Sequence, residues 1–256
     1  MFVKHHSKLN NWGDKIGPIL FECISGIKPK AVGMSFENIE KKDVYLIVGS
    51  ILQRADPYSI IWGPGFITES SKIIYKPKEI YAVRGPLTIK KLKEQGYTCN
   101  VYGDPVLLYP RFYTPVSVKK KYKLGVIPHF IDKNSEFLNK FRGISDILII
   151  DIQEDINVFV DKVCSCELIA SSSLHGIIVS DAYNIPSIWI ELSSKVKGNG
   201  FKFRDYFESV HREEKLPLVI NENTTLQQVY DKFKDYVLDI DIDRLYNVCP
   251  FKKVAR

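Results

Sequence analysis

The sequence predicts an α/β fold of two Rossmann-like, doubly wound halves whose strand ends face a cleft. Two observations carry this expectation. Short apolar runs recur along the chain and stop at Gly, Pro or Ser before stretches of helical periodicity, as parallel strands buried on both faces do. A charged, proline-containing segment without periodicity, residues 114–122, separates these alternations into two sets, 1–115 and 120–256.

In the first set, Phe2-Val3 opens a strand. The polar loop 7–14 then leads into Ile16, Ile19, Leu20 and Cys23 at helical spacing, with Asp14 as the expected N-cap and Gly26 as the stop. Asn11 and Trp12 in that loop suit hydroxyl bonding and stacking against a sugar. Residues 44–48 form a continuous apolar run ending at Gly49-Ser50, and 59–62 a second run ending at Trp62-Gly63-Pro64-Gly65. The strand at 79–83 meets Arg84-Gly85-Pro86, where Pro86 suits a first helical turn. Arg84 thereby stands at a strand end beside a helix start, where a guanidinium can fork onto carboxylate or phosphate oxygens. Val101 to Pro105 repeats the pattern, with Asp104 as a cap.

The second set begins with strands at 123–127 and 146–151 and a helix marked by Ile156, Phe159, Val160 and Val163. An apolar strand at 166–170 then enters Ser171-Ser172-Ser173-Leu174-His175-Gly176, a tight turn and a helix start. The serines can cap that helix, whose first N–H groups lack intrahelical partners and favour an anion; His175 adds a proton carrier in its first turn. The helix runs to about Asn184, Pro186 stops it, and 187–190 returns as a strand. His129, at the end of another strand as His175 is, reads as a surface histidine, with a place in the same cleft as the alternative. Residues 193–203, with Lys195, Lys197 and Lys202, read as a basic loop leading to Arg204, and the remainder as amphipathic helices.

With 45% hydrophobic and 26% charged residues over 256 positions, the chain is long and apolar enough for a substantial core, and disorder is not expected. No apolar run approaches a membrane span, and the first residues lack the apolar segment of a signal peptide, so a cytoplasmic protein is expected. Five cysteines without zinc spacing read as free thiols, and no metal site is expected. The net charge of +6 is modest. Its local clusters, Lys119-Lys120-Lys121 with Lys123, and Lys76 with Lys78, are compatible with phosphates or with peripheral contact at the inner face of a membrane. No nucleic-acid recognition motif accompanies them.

The ordered set Asn11-Trp12-Gly13-Asp14, Gly49-Ser50-Ile51-Leu52, Trp62-Gly63-Pro64-Gly65, Arg84-Gly85-Pro86, Gly103-Asp104-Pro105, Ser172-Ser173-Leu174-His175-Gly176 and Gly200-Phe201-Lys202 resembles the polysaccharide pyruvyl transferase family, over roughly residues 7 to 205. Its nearest likeness is to the short bacterial members that decorate exopolysaccharides. The resemblance implies a GT-B-like fold and no cofactor. It also implies phosphoenolpyruvate as co-substrate, a sugar diol on a lipid-linked oligosaccharide as acceptor, and a cyclic pyruvate ketal plus phosphate as products. It assigns donor binding and acid/base catalysis to His175. With it, donor binding is expected of Ser172, Ser173, Arg84, Lys202 and Arg204, and acceptor binding of Asn11, Trp12, Asp14 and Trp62. Many members carry Arg two residues before the motif's histidine; here that residue is Ser173, so another cation must serve the donor, and Arg84, Lys202 and Arg204 are available. Two other readings stay open at this level: a GT-B-type glycosyltransferase using a nucleotide-sugar, and a basic module that holds an assembly complex at a membrane surface.

Overall fold

The structure, a computed structural model, describes residues 1–6, 11–34, 41–116 and 119–253. Residues 7–10 of the first loop and 117–118 of the linker lie outside this description. The first half runs β1 (Phe2–Lys4), α1 (Trp12–Ser25), β2 (Lys30–Val32), β3 (Val44–Leu46), β4 (Ser59–Trp62), β5 (Glu79–Ala82) and α2 (Pro86–Glu94), followed by a 3-10 helix at Pro105–Arg111. The second half runs β6 (Tyr122–Ile127), β7 (Ile147–Ile149), α3 (Ile156–Cys164), β8 (Cys166–Ser171), α4 (Leu174–Ala182), β9 (Ser187–Glu191), α5 (Phe201–Ser209), β10 (Leu218–Val219), α6 (Leu226–Asp231) and α7 (Ile242–Asn247).

Each half holds a five-stranded, wholly parallel sheet, ordered β2-β1-β3-β4-β5 and β10-β9-β8-β6-β7. Counted along the chain, both follow the order 2-1-3-4-5, in which the connections leave the first strand in opposite directions. Ligands bind such sheets outside the carboxyl ends of the strands at that reversal. Here the reversals fall at β1/β3 and β6/β8. The expected α/β architecture with two Rossmann-like halves is therefore present.

Local chemistry accounts for the ends of the elements that matter most. Asn11, rather than Asp14, caps α1: its side-chain oxygen accepts from Gly13 N at 3.1 Å, and Gly26 closes the helix in the left-handed region. Asp14 stands instead within the first turn. Pro18 inside α1 has no N–H to give the Asp14 carbonyl, which accepts from His5 Nδ1 at 3.2 Å. The basic loop ends at Gly200, so Lys202 and Arg204 belong to α5. The short edge strands β2 and β10 carried too little apolar pattern to be expected, and residues 218–219 pair with β9 where a helix was foreseen. Cys166 opens β8, and all five thiols are free.

The halves share a continuous core. One cluster of buried side chains includes Trp12, Ile16, Trp62 and Tyr109 of the first half with Phe159, Ile177, Trp189 and Tyr206 of the second. The chain also returns on itself, since Phe251 stacks on Phe21 and meets Trp62 edge-on. Among the described residues no helix is long and apolar enough to cross a membrane.

Candidate active site

The turn between β8 and α4 is bolted to the end of β6. Ser171 Oγ donates to Ile127 O and Ser173 O and accepts from Ser173 N, while Ser172 N donates to Ile127 O. Ser172 Oγ accepts from His129 N at 2.8 Å and donates to Asp132. The serines thus organise the turn; Ser173 occupies the N-cap of α4, but its side chain makes no capping bond, contrary to expectation. The Ser173 side chain therefore leaves the first N–H groups of α4 uncapped.

His175 stands in that first turn and lies on the start of α1. A Cβ at Gly13 would fall on its imidazole, so only glycine admits the ring there. The ring keeps part of its surface accessible, yet Nε2 is buried and has no partner among the described residues. Burial first, then the charges of Lys202 and Arg84 and the nearby His129, push its pKa down to about 3. His175 is therefore neutral at pH 7. His129 is 8% exposed, not a surface group; its Nδ1 accepts from Ile131 N at 3.3 Å, which leaves the proton on Nε2. Burial and Lys202 lower its pKa to about 3.

Lys202, in the first turn of α5, forms no ion pair among the described residues. Its pKa falls to about 8 through burial and the repulsion of Arg84, against the attraction of Asp14. The Asp14 carboxyl is pushed up to about 7 by burial, in spite of Lys202 and of an Asn11 hydrogen bond, and its Oδ2 is buried without a partner. Arg84 is fully buried. Its Nε and Nη2 hold Asp205 Oδ2 at 3.0 and 2.9 Å, Nη1 donates to Ser50 Oγ, and Nη2 to Phe66 O. The fork expected to meet a donor is thus engaged within the protein, and the charge reaches His175 and Lys202 through space.

His175, Asp14, Lys202, Arg84, Ser172, Ser173 and Asn11 therefore gather where α1, α4 and α5 begin. Arg204 lies against Gly200 beside Trp189; Gly200 and Trp189, with Ser172, Glu191 and Phe203, line a cleft of about 300 Å³. The two indoles are corrections. Trp12 opens α1 and is wholly buried, with Nε1 donating to Ile156 O at 3.0 Å; Trp62 is wholly buried, with Nε1 donating to Leu245 O at 3.0 Å. Neither offers a face to a sugar, because the interface between halves and the returning C-terminal segment cover them. Sequence reasoning missed Ser50, Thr88 and Asp205. Asp205 had a signal, since a carboxylate three residues after the motif lysine shares its helix face. Among the described residues no group of three or more His, Cys, Asp or Glu could hold a metal ion. The basic clusters are partly taken up locally: Lys78 pairs with Asp43, and Lys120 donates to the carbonyls of Cys164 and Cys166.

A histidine, a lysine and a helix start thus come together where two parallel α/β halves share their core. The chain belongs to the polysaccharide pyruvyl transferase family, whose profile matches residues 3–194. It is 29% identical to an uncharacterized protein of Acanthamoeba polyphaga mimivirus, over 96% of this chain and 88% of that one. It is 27% identical to the succinoglycan biosynthesis protein ExoV of Rhizobium meliloti (strain 1021), over 83% of this chain and 66% of that protein. No solved structure matches it.

Proposed function

We propose that the chain transfers the pyruvyl group of phosphoenolpyruvate to a sugar diol of a lipid-linked polysaccharide precursor, forming a cyclic ketal and releasing phosphate. The observation that carries this reading is the meeting of Lys202, the charge of Arg84 and the uncapped start of α4 around the unpartnered Nε2 of His175. A donor with a carboxylate and a phosphate needs such cations and N–H groups, and its reaction with a hydroxyl needs a proton carrier within reach. Its negative charge opposes Lys202 and Arg84 and so raises the pKa of His175 toward the range in which an imidazole exchanges protons at pH 7. The similarity to a succinoglycan biosynthesis protein supports a polysaccharide acceptor. The acceptor approaches from the side of Asn11 and Asp14, with the protein peripheral to the inner membrane face that carries the lipid-linked sugar.

The test is phosphate release from phosphoenolpyruvate with glycolipid acceptors ending in galactose, mannose or glucose, with the product's mass gain read in parallel. Phosphoenolpyruvate, and not a nucleotide-sugar, is expected to raise the melting temperature. Turnover is expected to survive a chelator. A nucleotide-sugar that stabilises the protein and is consumed, with phosphoenolpyruvate inert, overturns the reading.

A further inference from the structure

We infer that Asp14 is a second catalytic residue, the acid that protonates the donor's methylene carbon while His175 takes the proton of the attacking hydroxyl; this rests on the function proposed above. Two polar atoms at this site are buried without a partner among the described residues, His175 Nε2 and Asp14 Oδ2. They belong to elements in direct contact, because the imidazole lies on Gly13, the residue next to Asp14. Asp14 is also rigidly held: it stands in the first turn of a helix capped by Asn11, and its carbonyl is tied to His5 because Pro18 leaves it free. The charge of Lys202 reaches both side chains, and two orphaned buried polar atoms at one helix contact are costly unless a ligand uses them.

The reaction requires two such groups. In its first step the methylene C3 of phosphoenolpyruvate gains a proton and becomes a methyl group, while C2 forms a bond to the first hydroxyl oxygen, whose proton must leave. With Asp14 as carboxylic acid and His175 as neutral imidazole, Asp14 gives its proton to C3 and His175 accepts the hydroxyl proton. In the second step the C2–O bond to phosphate breaks, phosphate leaves with the bonding pair and takes the proton from His175, and the second hydroxyl bonds to C2 and returns a proton to Asp14. Both side chains end as they began, one hydroxyl proton resides on the methyl group by way of Asp14, and the other on phosphate. The buried setting supports this division, since at neutral pH Asp14 is substantially protonated and His175 is not. A bound anion strengthens it on the Asp14 side, because negative charge further disfavours the carboxylate.

The Asp14 carboxyl feels Lys202 from α5 and the Asn11 side chain, and its backbone carbonyl meets His5 after β1; Lys202, Arg84 and His129 act on His175, and Arg84 acts on Lys202. Two falls in kcat/KM for phosphoenolpyruvate are thus expected as pH rises from 5.5 to 9. One, near 7, marks loss of the acid form of Asp14; one, near 8, marks loss of the Lys202 charge. Asp14→Asn keeps the shape but cannot give a proton. It is expected to lower kcat by about 10² or more, to leave stabilisation by phosphoenolpyruvate within threefold, and to abolish only the fall near 7. Asp14→Glu is expected to recover at least tenfold over Asp14→Asn. Asp14→Asn turning over within threefold of wild type, or keeping the fall near 7, overturns the inference, as does a loss confined to KM. Should the Asn variant fail to fold by circular dichroism, the wild-type profile decides, and a flat kcat/KM from pH 6 to 7.5 overturns it. A wild type that releases no phosphate from phosphoenolpyruvate removes the proposed function and this inference together; turnover by wild type and Asp14→Asn alike removes the inference alone.

Discussion

His175 is held from two sides, by the α4 turn that carries it and by the α1 start on which it rests, so replacing its side chain leaves both supports in place. His175→Gln is expected to lower kcat by about 10² or more with the fold intact by circular dichroism, because glutamine fits a helix's first turn but carries no exchangeable proton of suitable pKa. A raised donor KM with unchanged kcat would reduce His175 to a phosphate contact. Trp12 behaves otherwise. Its indole fills the contact between halves, with Tyr109 in an edge-to-face contact, Phe159 tilted against it and Nε1 bonded to Ile156 O. Trp12→Ala is expected to cost about 3–5 kcal/mol of stability, read by denaturant unfolding. A loss below about 1 kcal/mol, with a raised acceptor KM, would return Trp12 to the acceptor site.

Three helix starts make the site, and each is set by a different device: the Asn11 cap for α1, the serine turn for α4, and the left-handed Gly200 for α5. The approach of α1 to α4 depends on Gly13. Gly13→Ala places a methyl group where the imidazole lies, and His175 must move or α1 must shift. Activity is expected to fall at least tenfold, with a melting temperature reduced by an overpacking cost of about 1–3 kcal/mol. Near wild-type kcat would show that the ring is not needed where it stands. The place of the imidazole is thus set by the packing of α1 on α4, which this glycine permits.

Across the whole molecule, one buried ion pair joins the halves at the site's edge. Asp205 of α5 accepts from Arg84 and from Thr88 N and Oγ1, and Gly85 lies so close to the Asp205 carbonyl that no Cβ fits. Removing one partner strands the other's charge in the core. Asp205→Ala is expected to cost about 3–5 kcal/mol, and to do so in a single unfolding transition because the halves share their core. Two separate transitions in calorimetry would show that the halves fold independently.

The sequence by itself determined the repeated strand, turn and helix pattern, the two sets of strands and the motif residues, because these are local: period, caps and turn chemistry are written within a few positions. It placed His175, Ser172 and Ser173 at a helix start and Arg84 at a strand end, where they stand. Only the tertiary structure decided which side chains remained available. Trp12 and Trp62 read as sugar platforms until the second half and the C-terminal segment covered them; His129 read as exposed until β6 packed beside β8. Asp14 read as a cap, and its unusual chemistry comes from burial against elements up to 188 positions away in the chain, at Lys202. Burial and charge proximity are long-range quantities, set by how parallel strands far apart in sequence come to lie side by side, and no local pattern encodes them.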